Sequence, residues 1–247
     1  MNMKSFGPKA WVLPQPVLII GTYDKDGRAN AMNAAWGGQW DNNEIMISMG
    51  SHATTENLNE RGEFTVAFAT KDTLVAADYV GIVSAKNEPS KMAKTGWTVI
   101  PSENVAAPVF AEFPMTLECR IKEKVDESES GYNIIAEIVN ILVDEKYLAE
   151  DGKPDVEKMG LITFDPCHFG YIALGQKAGN AFSDGKKLSC LDTADSAAPT
   201  KPVCEHNPSI CCPCPKECPR HGKCCLCVAH HKEHGKLPAC LREKQDK

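Results

Sequence analysis

Residues 16–36, PVLIIGTYDKDGRANAMNAAW, decide the fold. The compact apolar run PVLIIGTY predicts a strand, and the Asp-Gly pair in DKDG suits the tight turn of a hairpin. The following RANAMNAAW alternates well enough between apolar and polar side chains to be the returning strand. This part of the sequence therefore predicts an antiparallel hairpin.

The hairpin pattern continues along the chain to residue 174. Short helices are predicted at 54–62, where Gly62 is a natural C-terminal stop, at 73–83 and at 155–160. The long amphipathic helices that a doubly wound α/β fold needs between its strands are missing. We therefore expect a mostly β protein, a closed or partly closed barrel with short helices. The further predicted strands are 44–49, 63–70, 115–125, 132–148 and 167–174.

Composition divides the chain into two modules. Nine of the twelve cysteines and five of the seven histidines lie between residues 204 and 240. The preceding stretch DTADSAAPTKP is short, rich in small residues and punctuated by proline, as linkers are. We predict a globular domain over residues 1–191, a linker over 192–203 and a Cys/His-rich module over 204–247. The body is long enough to bury a substantial core, whereas the module needs cross-links or metal to hold a shape.

Charge and the N-terminal sequence limit the partners and the compartment. Residues 1–203 carry a net charge of −9 and residues 204–247 a net charge of +3. An acidic body argues against nucleic-acid binding, because phosphate recognition needs a positive surface. The apolar run VLII is too short for a signal peptide core or a membrane span. We expect a cytoplasmic protein without nucleic-acid or membrane partners, in which clustered cysteines are metal ligands rather than disulfides.

Two segments of the body suggest a ligand site. In residues 27–43 small side chains replace the usual valine and isoleucine of a strand, which lets a planar ligand approach the backbone, with Asn33 as a polar contact. In residues 48–58 a strand enters a hydroxyl-rich loop at a helix start. There Ser51, His52 and nearby threonines, with the free N–H groups of the helix, make a phosphate cradle. The alternative is that these hydroxyls only cap the helix, and the residues alone leave both interpretations open.

The sequence resembles a known family in several consecutive segments. These are SFGPKAWVLPQPVLIIGTYDKDGRANAMNAAWGG, SMGSHATTENL, AADYVGIVSAK and EFPMTLEC. They are similar to the flavoredoxin and flavin-reductase-like group of FMN-binding split β-barrels, and the likeness covers roughly residues 4–188. The resemblance implies a split β-barrel that binds FMN at the interface of a homodimer, and it favours the phosphate site over the helix cap.

The resemblance also implies which residues contact FMN, and it implies no indispensable catalytic side chain. The flavin ring would pack against Asn30, Met32, Asn33, Ala34, Ala35 and Trp36. The backbone N–H groups from Asn33 to Trp36 would face its acceptor edge. The phosphate would lie in the loop formed by Ser48, Met49, Gly50, Ser51, His52, Thr54 and Thr55. The segments that hold Asp78, Tyr79 and Lys91 approach the ligand or the partner subunit, although Tyr79 also suits core packing and Lys91 a solvated charge. Relatives often carry basic residues in this loop, so His52 as the one cationic candidate predicts weaker or pH-sensitive phosphate binding.

The Cys/His-rich module over residues 204–247, called the tail below, contains cysteines and histidines at spacings of two to four residues. Such spacings let a tight turn place two ligands on one tetrahedral ion. The mixture of cysteine and histidine favours zinc, because iron–sulfur clusters usually have all-cysteine ligation. An iron–sulfur cluster, disulfides and free thiols remain the alternatives. The candidate ligands are Cys204, Cys211, Cys212, Cys214, Cys218, His221, Cys224, Cys225, Cys227, His230 and Cys240.

These features lead to one functional expectation with two alternatives. We expect an FMN-dependent oxidoreductase that either reduces flavin with NAD(P)H or transfers electrons as flavoredoxins do. In the first alternative the protein is an electron carrier whose tail is an iron site or a docking platform for a protein redox partner. In the second it is a non-enzymatic regulator whose tail senses zinc or the thiol redox state while the barrel dimerises.

Overall fold

A computed structural model of the chain describes residues 2–128, 131–190, 203–204, 207–212, 218–238 and 241. The chain forms two compact units, residues 1–177 and residues 178–247. The division lies before the predicted domain end at residue 191, and most of the predicted linker, residues 192–202, falls outside the described residues.

The first unit is built mainly from strands. Its helices are α1 (Ala53–Arg61), α2 (Leu74–Ile82) and α3 (Lys91–Thr95). Its strands are β1 (Gln15–Pro16), β2 (Leu18–Tyr23), β3 (Ala29–Ala34), β4 (Gly37–Asp41), β5 (Glu44–Gly50), β6 (Glu63–Phe68), β7 (Val99–Pro101), β8 (Pro108–Phe110), β9 (Met115–Ser128), β10 (Gly131–Val143), β11 (Ile162–Asp165) and β12 (Gly170–Ala173).

A seven-stranded antiparallel sheet in the order β3-β2-β6-β9-β10-β5-β4 is the centre of this unit. Its two edge strands, β3 and β4, are consecutive in the chain and are separated only by Ala35 and Trp36. The sheet must therefore curl until its edges meet, which gives a split barrel. Strands β1, β11 and β12 form a second, small sheet. The prediction of a mostly β split barrel with short helices is confirmed.

Two apolar clusters stabilise the unit. Along β5 the side chains alternate between buried and half-buried, so that Ile45, Ile47 and Met49 point into the barrel with Phe64 and Ile134. Burial of such side chains contributes about 1.5–3 kcal/mol each. The second cluster lies on the other side of β2 and β3 and receives α2. Its members include Val17, Ile19, Ala31, Ala67, Ala77, Val80 and Phe110.

The hairpin and the first two helices follow the sequence prediction. In the turn between β2 and β3, Gly27 has a φ of 78° and donates a backbone hydrogen bond to Asp24 O at 3.0 Å. Helix α1 ends at Arg61 and is capped by Gly62, whose φ is 69° and whose N–H donates to Leu58 O at 2.9 Å. Glycine adopts this left-handed conformation without strain. Helix α2 lies within the predicted range 73–83.

Four predicted elements differ from the structure. The strand predicted over 132–148 ends at Val143, and a 3-10 helix follows at Glu145–Tyr147. The strand predicted to reach Trp36 ends at Ala34, and the unpredicted β4 follows; its glycines and exposed polar side chains give no alternation. The predicted strand 167–174 begins only at Gly170, because residues 166–169 form the turn between β12 and the unpredicted β11. The predicted helix 155–160 is a series of turns.

The second unit contains a 3-10 helix (Asp184–Cys190), the paired strands β13 (Val203–Cys204) and β14 (Asn207–Cys211), and helix α4 (Cys224–Glu233). Among its residues with described side chains, only Gly222 and Pro238 are buried. The predicted Cys/His-rich module thus shows no apolar core in its described part. Across the described residues of the whole chain, no helix has the length and apolar character needed to cross a membrane.

Candidate functional site

One cavity of the first unit has a volume of about 300 Å³ and lies where the two edges of the barrel sheet meet. The junction between β3 and β4 forms one wall, and the end of β5 forms another. Helix α2 and the small sheet of β11 and β12 complete it. The lining residues are Met32, Asn33, Ala34, Ala35, Trp36, Ser48, Met49, Gly50, His52, Asp78, Gly81, Ile82, Phe164 and Tyr171.

Close packing of α2 on β3 explains the small residues of this region. Ala31 is fully buried in the cluster that receives the helix. A Cβ atom at Gly81 would lie 3.0 Å from the Cβ of Asn33, so any larger residue would push the helix from the strand. Asn33 Nδ2 donates to Ala77 O at 3.1 Å and fixes this contact. The small residues therefore serve helix packing as well as access to the backbone.

A second, polar cavity of about 220 Å³ adjoins the first. Lys91 lines it and is only 3% exposed, with Nζ donating to Ala31 O at 2.6 Å. Burial lowers the pKa of Lys91 to about 8. The ammonium has three N–H groups, so this bond leaves donors for an anion in the cavity. The solvated-charge interpretation of Lys91 is wrong, because the side chain is buried. The residues shared by the two cavities are Met32, Asn33, His52, Gly81 and Ile82.

Asn30 gives the second cavity an unsatisfied hydrogen-bond acceptor. The side chain is 4% exposed, and its Nδ2 donates to Thr54 Oγ1 at 3.0 Å. Its Oδ1 is buried and has no hydrogen-bond partner. Because a buried polar atom without a partner costs about 1–3 kcal/mol, this position suits a ligand that supplies a hydroxyl. Lys91 and Asn30 thus bring a cation and a hydrogen-bond acceptor to the lining of one cavity.

The start of α1 combines helix capping with the cavity wall. The His52 N–H donates to Thr55 Oγ1 at 2.8 Å, and this hydroxyl donates to His52 O at 2.7 Å. Thr55 is therefore occupied by the cap, as the simpler interpretation of the loop states. The exposed His52 ring lines both cavities and lies over Gly50, where a Cβ atom would be 3.0 Å from Nε2.

A tyrosine–aspartate pair on the far wall was not predicted. Tyr171 on β12 donates from its hydroxyl to Asp78 Oδ1 on α2 at 2.7 Å. Burial raises the pKa of Tyr171 to about 12, and the Asp78 carboxylate adds to the shift. Tyr171 stays neutral and packs near Phe164, with ring centroids 6.1 Å apart. Neither aromatic residue has a local sequence signal for the cavity, because the fold brings β11 and β12 to α2 from far along the chain.

Most residues that the resemblance placed at FMN line one of the two cavities. Ser51, Thr55 and Tyr79 line neither. Tyr79 packs instead against the second apolar cluster and lines a groove with Trp97, in agreement with the core interpretation. The predicted residues that do line a cavity are Asn30, Met32, Asn33, Ala34, Ala35, Trp36, Ser48, Met49, Gly50, His52, Thr54 and Lys91.

In the second unit the described residues bring together one group with metal-ligand chemistry, His230, Glu233 and His234. Their ligand atoms all lie within 4.8 Å of one another. Burial lowers the pKa of His230, and Arg220 and the neighbouring histidines lower it further.

The cysteine spacing does not indicate Glu233 and His234, because these residues approach His230 through the geometry of a helix. Cys218 and Cys225 are exposed, and Cys212, His221, Cys224 and Cys227 are half-buried. Among the described residues, none of these six lies in a group of three or more potential metal ligands. The side chains of Cys204, Cys211, Cys214 and Cys240 lie outside the described residues.

Comparison with known proteins agrees with this geometry. Flavoredoxin of Desulfovibrio vulgaris (Miyazaki F) is 36% identical, with a TM-score of 0.70 over 74% of this chain and 100% of that chain. The flavoredoxin of Methanosarcina acetivorans is 29% identical, with a TM-score of 0.69 over 76% of this chain and 100% of that chain. Nitrilotriacetate monooxygenase component B from Bacillus cereus is 20% identical, with a TM-score of 0.61 over 73% and 100% of the two chains, and shares the fold.

The sequence comparison locates the shared region. Residues 11–156 match the family model described as Flavin reductase like domain. This range includes both edge strands of the barrel sheet, α2 and Lys91. The match covers more than half of the chain, so the protein belongs to the flavin reductase like family.

Proposed function

We propose that the protein is an FMN-dependent oxidoreductase that takes electrons from NAD(P)H or exchanges them with a protein redox partner. One observation carries the proposal: a cavity with apolar walls continues into a polar cavity that holds the buried Lys91 and the unpartnered Asn30 Oδ1. FMN has the matching parts, a flat ring, a chain of hydroxyls and a phosphate.

The residues of the chain have separate roles in this proposal. The backbone of residues 32–36 supports the ring, Asn30 accepts a hydrogen bond from a hydroxyl, and Lys91 donates to the phosphate. When bound, FMN supplies the hydride and single-electron chemistry that no protein side chain provides. Tyr171, kept neutral by its burial and by Asp78, lines the cavity and adds no charge there.

Replacing Lys91 with methionine tests the phosphate contact. A charge-assisted hydrogen bond contributes about 1.5–3 kcal/mol, so Lys91→Met is expected to weaken FMN binding by about 10- to 100-fold. Riboflavin lacks the phosphate, and its affinity should stay the same. The exposed Lys153 provides the matched control, Lys153→Met, with unchanged affinity for both flavins. Equal losses for FMN and riboflavin would contradict the assignment of Lys91.

The pH dependence of binding tests the same contact without a mutation. Burial places the pKa of Lys91 near 8 in the free protein, so the ammonium loses its proton as the pH rises through that value. FMN affinity should therefore fall above pH 8 in fluorescence titrations, while riboflavin affinity stays level. The Lys91→Met variant should lack this difference.

The electron donor separates the reductase from its alternatives. Bleaching of the flavin absorbance by NADH or NADPH alone supports a reductase. Bleaching that requires a second protein supports the electron carrier. A purified protein that is colourless and does not bind added FMN would leave only the regulator.

We also propose that the protein is a homodimer with the cavity at the interface. Trp36 and Ile82 line the cavity and are 64% and 75% exposed, which is unusual for large apolar residues beside a ligand site. A second copy would cover them. Ile82→Asp should shift the protein toward monomer in sedimentation experiments and weaken FMN binding, whereas Val156→Asp, at another exposed apolar residue, should change neither.

For the tail we propose that a divalent metal ion, zinc first, stabilises it. The supporting observation is that the described side chains of residues 178–247 include no buried apolar residue other than Pro238. A short segment without a core folds when ligands gather around an ion. Elemental analysis of the untreated protein tests this: zinc without broad visible absorbance supports the proposal, iron with such absorbance supports a cluster, and a metal-free folded tail contradicts both.

A further inference from the structure

We propose that His230, Glu233 and His234 form a three-ligand, solvent-open site for a divalent transition-metal ion at the C-terminal end of α4. This inference rests on the proposal that the tail binds metal, and it assigns a site made of imidazole and carboxylate rather than thiolates. It also uses two residues, Glu233 and His234, that the cysteine spacing does not point to.

The spacing of the three residues places them on one face of the helix. Residues separated by three and four positions are neighbours on a helix surface, and two histidines in this relation can hold one zinc ion. The rings of His230 and His234 have centroids 4.4 Å apart. The three ligand atoms lie within 4.8 Å of one another, and ligands on one tetrahedral zinc are about 3.3 Å apart. Small rotations of half-buried and exposed side chains close this difference.

A backbone hydrogen bond orients the His234 ring. Its Nδ1 lies 2.8 Å from the carbonyl oxygen of His230. Because a carbonyl oxygen only accepts hydrogen bonds, Nδ1 carries the proton and the lone pair is on Nε2. Metal-binding histidines commonly donate their other ring N–H to a carbonyl or carboxylate in this way. His234 is therefore in the tautomer that a ligand needs.

Arg220 occupies the lone pair of His230. Its Nη2 donates to Nδ1 of His230 at 2.9 Å, because a guanidinium has only donors. Nδ1 is thus the nitrogen that His230 offers as an acceptor, and a metal ion must displace the guanidinium to reach it. The positive charge of Arg220 and the ion compete for one position.

Solvent exposure makes the site open. Glu233 and His234 are exposed and His230 is half-buried, so the three residues leave at least one coordination position to water or an added ligand. Three protein ligands with an open position distinguish exchangeable zinc sites from closed structural ones. Two imidazoles and one carboxylate suit zinc and its divalent neighbours better than the soft ions that thiolates prefer.

The test uses the full-length protein, stripped with a chelator under reducing conditions and titrated with Zn²⁺ by calorimetry and with Co²⁺ by absorbance. His234→Ala and Glu233→Gln should each weaken the assigned site by at least about tenfold. His231→Ala is the matched control, since His231 lies on the same helix outside the group, and it should leave the affinity unchanged. The Co²⁺ bound at this site should show visible bands without the intense thiolate charge-transfer band.

A gain in affinity supplies the second measurement. Arg220→Gln removes the competing cation and should tighten binding by at least about threefold, a result that a misfolded variant does not give. Equal affinities of His234→Ala and His231→Ala for the metal ion would overturn the site. A loss of metal binding only in cysteine variants would also overturn it, but the proposal that the tail binds metal would then stand. A full-length protein that binds no metal under any of these conditions would overturn both proposals.

Discussion

The two compact units of the chain differ in how much apolar surface their described residues bury. The first unit buries two clusters of apolar side chains inside and against its barrel. In the described part of the second unit, Leu226 and Val228 on α4 are 55% and 44% exposed, and no apolar cluster forms. The second unit instead contains most of the cysteines and histidines of the chain. Apolar burial needs a long chain, whereas metal ligation works in a short one.

Cysteine shows the difference most directly, because the same residue type has opposite surroundings in the two units. Cys119 on β9 is fully buried, and burial, with a smaller contribution from the Glu118 carboxylate, raises its pKa to about 12. Cys218 and Cys225 in the tail are exposed. A thiol in the core acts as a small apolar side chain, whereas an exposed thiol can ligate or react.

The largest expected effect is therefore a difference in thiol reactivity. In the metal-stripped protein at pH 8, Cys119 should react with iodoacetamide at least about 10³-fold more slowly than Cys218 and Cys225, because burial keeps its thiol protonated and the reagent cannot reach it. Peptide mass mapping over time measures the rates. In concentrated urea the three rates should converge. Similar reaction rates of Cys119, Cys218 and Cys225 in the native protein would contradict this difference between the two units.

The next effect concerns apolar burial itself. Phe64 on β6 is fully buried in the barrel, and Phe64→Ala should lower the free energy of unfolding by about 3–5 kcal/mol. Urea unfolding followed by tryptophan fluorescence measures this, because Trp11, Trp36, Trp40 and Trp97 all lie in the first unit.

The matched change in the tail is Leu226→Ala. Its effect on the hydrogen-exchange protection of α4 should correspond to no more than about 0.5 kcal/mol, since the side chain is exposed. A loss comparable to that of Phe64→Ala would show that the tail has an apolar core after all, and the proposal of a metal-held tail would lose its main support.

The sequence predicted those elements of the fold that have local signals. The apolar run of β2, the alternation of β5, the glycine stop at Gly62 and the helix over 73–83 are local signals, and each is confirmed. Strand β4 was not predicted, because a polar edge strand has no apolar period.

The sequence predicted part of the cavity. Its residues on β3 and in the loop after β5 were predicted from their composition and from the family resemblance. Phe164 and Tyr171 were not predicted, because their position depends on contacts across the fold. The buried state of Lys91 was also missed, since lysine is rarely buried and nothing beside it in the sequence indicates a partner.

In the tail the prediction depended on residue type alone. The spacing of cysteines indicates metal but does not pair ligands with ions, because many turns satisfy the same spacing. His230 and His234 come together through helix geometry, which requires the range of α4 to be known. That range has no apolar periodicity to reveal it, since its large apolar residues Leu226 and Val228 are both exposed.

An effect smaller than that of Phe64→Ala tests how the first unit handles a buried charge. Glu118 on β9 is fully buried, and its carboxylate accepts hydrogen bonds from Ser102, from Asn104 at 2.7 Å and from Asn140 at 2.6 Å. Burial alone would raise the pKa of Glu118, but these donors together outweigh it and lower the pKa. The folded state therefore binds the proton more weakly than the unfolded state does. Its contribution to stability is fully present above the ordinary glutamate pKa of about 4.3 and is lost as the pH falls through the lower folded value.

Glu118→Gln removes both the charge and this pH dependence. At pH 7 the variant should be less stable by about 1–3 kcal/mol, because its amide group brings a donor where three donors already converge. Between pH 6 and pH 3 the difference from the unmodified protein should shrink in urea unfolding experiments. Glu123→Gln, at an exposed position of the same strand, should change neither quantity. A stability difference that stays constant over this pH range would mean that Glu118 contributes by packing alone. The charge of its carboxylate would then add nothing to the stability of the first unit.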